Sequence, residues 1–514
     1  MVLSMRRALV MAAMVGMSAG ALMVESSEAQ AFCGSFVAGG DTKLYNDATQ
    51  VVLMRSGTRT VLSMQNNYKG PVKDFAMVVP VPVVLMEEQV KTLPTSLFEK
   101  LDQLSAPRLV EYWEQDPCYE PIYDSGGWAD MSASPAQDMG SQGDPGMEPP
   151  PVVIEAEFEV GEYDVVVLSA TEGMALESWL TRNNYTIPEG GSDVFQQYIQ
   201  NGMYFFVAKI DPAKVTFNQG EAVLSPLRFA YDSPSFSLPI RLGMLNSDGE
   251  QDLIMYVLSQ DGRYELANYP NAFIPTNKIV GTDTANSFGE YYSLLFEDTL
   301  SKNPGAVITE YAWDASTCDP CPGPTMDATD YVTLGADEFG STSEVSPLLR
   351  GWTLTRLHAR YGADDIDEDL VFKKAPAVIG GTGIPNSAGE VDSDVDTRGY
   401  YNNFQGRYIM LHWWDGEMSC ESPNRGSWGY GSPSGSAVSP NSGGMQAASG
   451  DKTLADFEPG EGSTDGGWTV DDGDGSSQDG SGSSSEGGGE VGGGGGCTTG
   501  EGRDASGPLG LLLG

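Results

Sequence analysis

Histidine and the basic residues are scarce in this sequence. Its 514 residues include 28 Lys and Arg, 72 Asp and Glu and 2 His, for a formal net charge of −44. A field of this sign repels phosphate backbones, which argues against nucleic acid as a partner. With only His358 and His412, the chain cannot form an H-E-x-x-H motif or a three-histidine metal site. The part predicted to be folded also lacks the G-x-S-x-G of an α/β-hydrolase elbow.

The N-terminus has the pattern of an export signal. Two arginines precede an uncharged apolar stretch, residues 8–24, and "SSEAQA" then ends in an Ala-x-Ala pattern. Small residues at this spacing are typical of a signal peptidase site. We therefore expect residues 1–31 to be a signal peptide that is cut between Ala31 and Phe32. A retained membrane anchor is the alternative.

Six cysteines follow in an exported chain: Cys33, Cys118, Cys318, Cys321, Cys420 and Cys497. Export implies an oxidising compartment, where cysteines pair. We expect Cys318 and Cys321 to be oxidised, to each other, and a further bridge to join two of Cys33, Cys118 and Cys420. A redox-active C-x-x-C is the less favoured alternative, because the prolines and glycine at 322–324 make a following helix poor.

Hydrophobic patterning predicts an α+β fold that is rich in strands and has a few helices. Three β-rich runs open the folded part, and "SLFEKLDQL" is typical of a helix. A β-α-α-β unit follows: "YDVVVLSA", "MALESWLTRNN", "DVFQQYIQNG" and "YFFVAKI". In its second helix we expect Asp193 as the N-cap and Gly202 as the stop.

Composition divides the chain into seven parts. A stretch poor in aliphatic residues predicts a mobile acidic loop, and a region of Gly, Ser and acids predicts a disordered stalk. The predicted parts are the signal peptide 1–31, a β-rich segment with one helix 32–124, the mobile loop 125–151, an α+β unit 152–270, a β-rich part 271–420, the stalk 421–496 and a partial sorting tail 497–514.

Three groups of residues are candidates for a site. On a strand, Arg356, His358 and Arg360 share one face, which suits either a groove for an anionic ligand or pairing with the protein's own carboxylates. The alternate acids of "DDIDEDL" suit either a calcium site outside the EF-hand class or a solvated acidic loop. For the adjacent tryptophans of "HWWDG", one interpretation is that an exposed ring stacks on a sugar ring. The other is that one tryptophan lies in the core and the other covers the end of the sheet. The residues of the last two groups are Asp365, Asp367, Asp369, Trp413 and Trp414.

Five segments occur in an order that resembles the secreted bacterial DUF2330 family, a domain of unknown function. They are "AFCGSFV", "NNYKGPVKDFAMVVPVP", "RLVEYWEQDPC", "LTRLHARY" and "GRYIMLHWW". The resemblance covers residues 32–420. It implies no activity and supplies no catalytic residues.

The C-terminus resembles the MYXO-CTERM class of sorting tails. Gly496 and Cys497 match the signature of that class, and "GPLGLLLG" is similar to the start of its membrane helix. The resemblance implies that Cys497 is the processing point. A spanning helix needs about 20 apolar residues, and only a handful follow Pro508. We expect the gene product to continue beyond Gly514; release of the protein, or an ordinary disordered tail, are the alternatives.

These features together predict an exported protein of the cell surface or outer envelope, with release from the cell as the alternative. We expect a non-catalytic binding or display module that contacts an unknown surface ligand and the machinery of export and tail processing. A secreted hydrolase or thiol oxidoreductase with an unrecognised site is the alternative. The sequence predicts no cofactor. A Ca²⁺ ion at Asp365, Asp367 and Asp369 is the alternative.

Overall fold

The computed structural model describes the chain in several stretches. These are residues 35–39, 45–69, 75–118, 152–183, 185–187, 190–211, 213–218, 221–245, 249–340, 351–362, 365–432, 445 and 452–459. The predicted signal peptide with Ala31 and Phe32, the mobile loop 125–151, Cys33, and the tail with Cys497 lie outside them.

Strands dominate the described residues. The first strands are β1 (Ser35–Gly39), β2 (Tyr45–Ser56), β3 (Arg59–Lys69), β4 (Phe75–Val81), β5 (Val90–Thr92), β6 (Arg108–Glu114), β7 (Val152–Val160), β8 (Tyr163–Ala170), β9 (Tyr185–Thr186), β10 (Tyr204–Ile210), β11 (Thr216–Asn218), β12 (Glu221–Val223) and β13 (Leu227–Asp232). The later strands are β14 (Ser237–Leu238), β15 (Gln251–Ser259), β16 (Tyr264–Leu266), β17 (Asn271–Phe273), β18 (Lys278–Ile279), β19 (Val307–Asp314), β20 (Thr353–Tyr361), β21 (Leu370–Lys374), β22 (Ile379–Gly380), β23 (Asn403–Gln405), β24 (Arg407–His412) and β25 (Trp428–Gly429).

Helices are fewer than strands in the described residues. They are α1 (Ser96–Ser105), α2 (Gly173–Arg182), α3 (Gly191–Gln200), α4 (Arg241–Met244), α5 (Phe288–Lys302) and α6 (Ala328–Leu334), with 3-10 turns at Glu87–Gln89, Thr282–Asn286, Ala336–Phe339 and Leu454–Phe457. The predicted α+β, strand-rich fold is confirmed. The predicted β-α-α-β unit is β8, α2, α3 and β10, with the two-residue β9 between the helices.

A ten-stranded sheet forms the centre of the described fold. Its strand order is β22-β23-β19-β20-β15-β2-β3-β13-β5, and β17 pairs with β19 off this path. Most neighbours are antiparallel, while β15 runs parallel to β2. The sheet draws strands from all three predicted folded segments, 32–124, 152–270 and 271–420.

A six-stranded sheet packs on one face of the central sheet. Its order is β7-β8-β10-β4-β1-β9. Leu53 and Met255 of the central sheet share a buried core with Val79, Val167 and Phe206 of the smaller one. The alternate residues of the smaller sheet face the other way, against α2 and α3. Successive side chains of a strand point to opposite faces, so the strands of the smaller sheet contribute to both of these cores.

Helices cover the opposite face of the central sheet. Leu97 and Leu101 of α1 and Leu334 of α6 pack with Tyr256 and Leu354 of that face. The longest helix, α5, packs in a separate aromatic cluster that also contains β24 residues. None of the helices in the described stretches is both long and apolar enough to span a membrane.

Three smaller sheets complete the described fold: the four-stranded β18-β24-β6-β25, the three-stranded β14-β21-β16 and the two-stranded β11-β12. Strands β18, β24 and β6 are parallel, and β25 joins β6 antiparallel. Because β25 lies at Trp428–Gly429, the folded part continues beyond the predicted stalk boundary at 421. Residues 452–459 also belong to it, since Phe457 is buried against the cluster that contains α5.

Candidate functional site

The three cationic residues predicted to share a face lie on β20, in the centre of the large sheet. Leu357 and Ala359, between them, enter the core between the sheets. Arg356, His358 and Arg360 therefore point to the opposite face, beneath α1 and α5. Arg356 and His358 are buried there.

Arg356 is held by two carboxylates. Its Nε donates to Oε2 of Glu310 at 2.5 Å, and its Nη1 donates to Oδ1 of Asp102 at 2.6 Å. The hydroxyl of Tyr256 accepts from the same Nη1 at 3.0 Å and donates to Asp102 at 3.0 Å. Glu310 is fully buried on the neighbouring strand β19, so this pair is shielded from water.

His358 lies between two acids. Its Nδ1 is 2.7 Å from Oε1 of Glu310, and its Nε2 is 3.0 Å from Oδ1 of Asp252. Both neighbours accept hydrogen bonds when ionised, so a protonated ring, with both nitrogens as donors, satisfies both of them. The ring also stacks on Phe296 with centroids 4.1 Å apart. Arg360 completes the row, with Nε and Nη2 donating to the two oxygens of Asp252 at 2.9 and 2.8 Å.

The charges of this network shift the pKa values of its members. Burial disfavours ionised Glu310, but the charges of His358 and Arg356 outweigh burial and lower its pKa to about 2. Burial opposes ionisation of Asp252 too, and hydrogen bonds and charge from His358 and Arg360 lower its pKa to about 2. Burial favours neutral His358, yet Glu310 and Asp252 together raise its pKa above the ordinary 6.5.

This geometry is that of internal pairing, the second of the two interpretations of the β20 face. Three cations meet three carboxylates at hydrogen-bonding distance. An anionic ligand would have to displace buried carboxylates to reach Arg356 or His358. The three residues position the large sheet against α1 and α5 rather than presenting charge to solvent.

The acids considered for calcium do not converge. Asp369 accepts from the hydroxyl of Tyr198 at 2.7 Å and from the backbone N–H of Ile240 at 3.0 Å, so it joins two parts of the fold. Asp365 accepts from the backbone N–H of Gly362 at 2.7 Å. Within the described stretches, no group of three or more His, Cys, Asp or Glu side chains is placed to hold a metal ion.

Two disulfide bonds join cysteines of the described residues. One links Cys318 to Cys321, and the other links Cys118 to Cys420 across 302 residues. The first closes a surface loop before α6. The second joins the segment that follows β6 to the segment that follows β24. A cleft lined by the candidate tryptophans lies beside this bond.

Parallel strands β6 and β24 build that cleft at their carboxyl ends. In their register Trp113 stands beside His412. Their rings stack with centroids 4.6 Å apart and an angle of 8°. Nε2 of His412 is 2.8 Å from Oε2 of Glu111, on the same face of the sheet. The stacked pair forms one wall of the cleft.

A buried carboxylate fixes the loop that closes the other side. Glu114, the last residue of β6, accepts from Nε and Nη2 of Arg425 at 2.8 and 2.7 Å. It also accepts from the backbone N–H groups of Trp414 at 3.0 Å and Gly426 at 2.6 Å. Both of its oxygens are thus used to hold the segment 414–426. The Cys118–Cys420 bond anchors the same segment.

Two further tryptophans line this cleft, which we call the aromatic cleft. Trp413 packs edge-on against Trp428 with centroids 4.7 Å apart. Trp414 lies over Gly416, where a Cβ would stand 2.5 Å from the indole ring, so glycine is required for this close approach. The cleft has a volume of about 630 Å³ and is lined by Trp113, Glu114, His412, Trp413, Trp414, Asp415 and Ser432. The indole N–H groups of Trp413 and Trp414 are buried and have no acceptor among the described residues.

Comparison with known proteins identifies the family. A family model described as an uncharacterized protein conserved in bacteria, DUF2330, matches residues 27–373. This chain belongs to the DUF2330 family. The matched part of this DUF2330 protein includes Trp113 and Glu114, and the other residues that line the aromatic cleft follow it in the chain.

Other similarities of this DUF2330 protein are remote. A crystal structure of baculovirus P35 is 15% identical, and the match covers 43% of this chain and 66%, just under two thirds, of that chain. Its TM-score of 0.21 is too low to support an argument about fold or function. No curated protein matches the sequence.

Sequence reasoning on this DUF2330 protein named Trp413 and Trp414 but missed the rest of the aromatic cleft. Trp113 and Glu114 precede Cys118 by a few residues, and His412 to Asp415 precede Cys420 in the same way. A bridge between these two cysteines would have brought both segments together. Both tryptophans follow the last residue of β24, His412, so neither lies within the strand.

Proposed function

We propose that this DUF2330 protein is exported to the cell surface or envelope, where it binds a ligand without transforming it. The aromatic cleft is the ligand site. The observation that carries this proposal is the meeting of Trp113, Trp413 and Trp414 around one cleft of about 630 Å³. Cavities of several hundred Å³ with aromatic walls and a few polar groups are typical of small-molecule sites.

Export is supported by the N-terminal pattern and by the cysteines. Residues 1–31 combine a basic start, an apolar stretch and a small-residue cut site. The four cysteines of the described residues form two disulfide bonds, which persist in oxidising compartments.

Binding without catalysis is supported by what the reactive side chains already do. Both oxygens of Glu114 accept hydrogen bonds from the protein, so this carboxylate is not free to act as an acid or base in the cleft. His358 and Arg356 lie on the central ten-stranded sheet, outside the residues that line the cleft, and both are bound to buried Glu310. The cleft is therefore better suited to hold a ligand than to activate one.

A secreted hydrolase is the second candidate, and one contact favours it. The pair of His412 and Glu111, 2.8 Å apart at the cleft wall, has the arrangement of a base held by an acid. Ser432 also lines the cleft. If this pair activates a hydroxyl or a water, the purified protein should cleave chromogenic esters or glycosides, and His412→Gln should abolish that cleavage.

Cell fractionation with external protease tests the proposal. In a bacterium that expresses the full gene, the protein should lack residues 1–31 and should be cleaved by protease added to intact cells, or be found in the medium. The same purified protein should leave the chromogenic substrates unchanged. A cytoplasmic protein that retains its N-terminus would refute export, and turnover lost in His412→Gln would favour the hydrolase.

A further inference from the structure

We propose that the aromatic cleft binds a neutral saccharide. This inference rests on the proposed function of the cleft as the ligand site and names its ligand class. A pyranose ring has a flat face of C–H groups and a rim of hydroxyls. A complementary site needs flat apolar surfaces together with hydrogen-bonding groups that both donate and accept.

The flat surfaces come from the indole rings. Trp113 and Trp414 are each half-buried, so part of each ring reaches the cleft. His412 supports one side of Trp113, and Gly416 supports the ring of Trp414. Rings backed in this way are held as fixed platforms for stacking.

The hydrogen-bonding groups lie around these rings. Asp415 is exposed at the cleft and offers two acceptor oxygens. The indole N–H groups of Trp413 and Trp414 are buried beside the cleft without an acceptor among the described residues, so a ligand hydroxyl that reaches either group supplies the missing partner. A hydroxyl that donates to Asp415 and accepts from an indole uses both kinds of group.

Charge distinguishes a saccharide from other ligands. No Lys or Arg is among the described residues that line the cleft, and the protein carries a net charge of −44, so anionic ligands are disfavoured. A quaternary ammonium ion also stacks on tryptophan and is the closest competitor. However, Arg425 neutralises Glu114, which leaves Asp415 as the one lining carboxylate without a basic partner in the described stretches. A neutral ligand with an apolar face fits this balance best.

The cleft is also held in shape before a ligand binds. The Cys118–Cys420 bond, together with the three hydrogen bonds to Glu114 and its ion pair with Arg425, fixes the segment that carries Trp414 and Asp415. A preformed site loses less conformational entropy when the ligand binds, which raises affinity.

Titration of the full mature chain tests the inference. The probes are neutral oligosaccharides of glucose, mannose, galactose and N-acetylglucosamine, and tetramethylammonium as the cation. Binding is followed by calorimetry and by tryptophan fluorescence. We expect at least one oligosaccharide series to bind, and Trp113→Ala and Trp414→Ala each to weaken binding at least tenfold. Asp415→Asn, an exposed change that leaves the fold intact, should weaken it several-fold.

The matched control is Trp179→Ala on α2, a half-buried tryptophan that packs on the six-stranded sheet. It should leave saccharide affinity unchanged. Binding of tetramethylammonium alone, lost in the cleft variants, would overturn the saccharide assignment and leave the cleft as a ligand site. Binding of no probe, or saccharide binding equal in Trp113→Ala, Asp415→Asn and Trp179→Ala, would overturn both the ligand class and the site.

Discussion

Glu310 is a fully buried carboxylate that two cations share. It accepts from Arg356 and His358, and the hydroxyl of Tyr292 donates to it as well. Burial of one such charge costs several kcal/mol unless it is paired and hydrogen-bonded. Here every member of the row has a partner of opposite charge, so the network stabilises one arrangement of β19, β20 and their covering helices. Loss of one partner would leave another charge buried without compensation.

Protonation of His358 should therefore control stability near neutral pH. A group whose pKa is raised on folding contributes stability below its unfolded pKa, near 6.5, and that contribution is lost as pH rises through the folded pKa. Glu310 and Asp252, whose pKa values are lowered to about 2, contribute stability above about pH 4, which is lost as pH falls toward 2. We expect the urea midpoint of the wild type to be highest between about pH 4 and pH 6.5 and to decline on both sides of this range. His358→Gln should lower stability by about 3 kcal/mol at pH 6 and less at pH 9.

His412→Gln is the matched control for this prediction. The chain has no other histidine, and His412 forms a partly exposed pair with Glu111. Such pairs contribute about 1 kcal/mol or less. A difference between His358→Gln and wild type that stays constant from pH 5 to 9 would contradict a charged His358.

The sequence predicts only half of this network. Period-two alternation on β20 places Arg356, His358 and Arg360 on one face, because successive side chains of a strand point to opposite sides. Their partners lie 46, 106 and 254 residues away along the chain, at Glu310, Asp252 and Asp102. In a chain with 72 acidic residues, no local pattern marks these three as the partners of the β20 cations.

At the scale of elements, the aromatic cleft depends on two strand ends that one disulfide joins. The bond between Cys118 and Cys420 spans 302 residues, so it removes more conformational freedom from the unfolded chain than the Cys318–Cys321 bond, which spans 3. In the loop-entropy account, we expect Cys118→Ser/Cys420→Ser to lose about 6 kcal/mol and Cys318→Ser/Cys321→Ser about 2 kcal/mol. Urea unfolding of both unreduced double variants measures the difference.

The two bonds should also differ in their effect on the cleft. Loss of Cys118–Cys420 releases the segment that carries Trp414, so tryptophan fluorescence should move to longer wavelength and acrylamide should quench it more. The Cys318–Cys321 variant serves as the control and should retain the wild-type spectrum. An equal loss of stability with an unchanged spectrum in both variants would show that Glu114 alone holds the segment.

Helix ends show why element boundaries are hard to predict. For α3 the sequence predicts Asp193 as the N-cap, but the helix begins at Gly191 and Asp193 lies in its first turn. Gly190 is the N-cap, with a φ of 86° that other residues rarely adopt. An acid in the first turn interacts with the same free N–H groups as a cap does, so composition alone does not distinguish the two positions.

At the scale of the whole molecule, one central sheet unites segments that composition separates. Strands β2, β15 and β20 are neighbours, although they come from three different predicted parts of the chain. Composition marks loops and linkers, but the pairing of distant strands depends on cores that both strands help to form. The strand-rich α+β class was therefore predictable, and the order of strands in the sheet was not.

The C-terminal region shows the same difference between composition and packing. Gly, Ser and acids dominate from residue 421, which indicates a flexible stalk, yet a few apolar residues return to the body. Phe457 is 5% exposed and lies 5.5 Å from the ring of Tyr291 on α5. The backbone N–H of Gly281 donates to the carbonyl oxygen of Phe457 at 2.8 Å. Nζ of Lys452 donates to Oε2 of Glu290. A buried aromatic ring, a backbone hydrogen bond and an ion pair together hold residues 452–459 on the body.

This packing leads to a prediction about how much of the C-terminal region the folded body needs. Phe457→Ala removes a buried ring at the edge of the α5 cluster, where partial collapse is possible, so we expect a loss of about 2–3 kcal/mol, below the range for a central phenylalanine. A chain that ends at residue 444 should lose at least as much, because it lacks the ring, the Gly281 contact and the Lys452 pair together. Ala455→Ser, an exposed change in the same turn, should stay within about 0.5 kcal/mol of wild type. Urea unfolding followed by circular dichroism measures all three. If Phe457→Ala and the shortened chain both unfold at the wild-type midpoint, residues 452–459 add nothing to the body, and the stalk begins after β25.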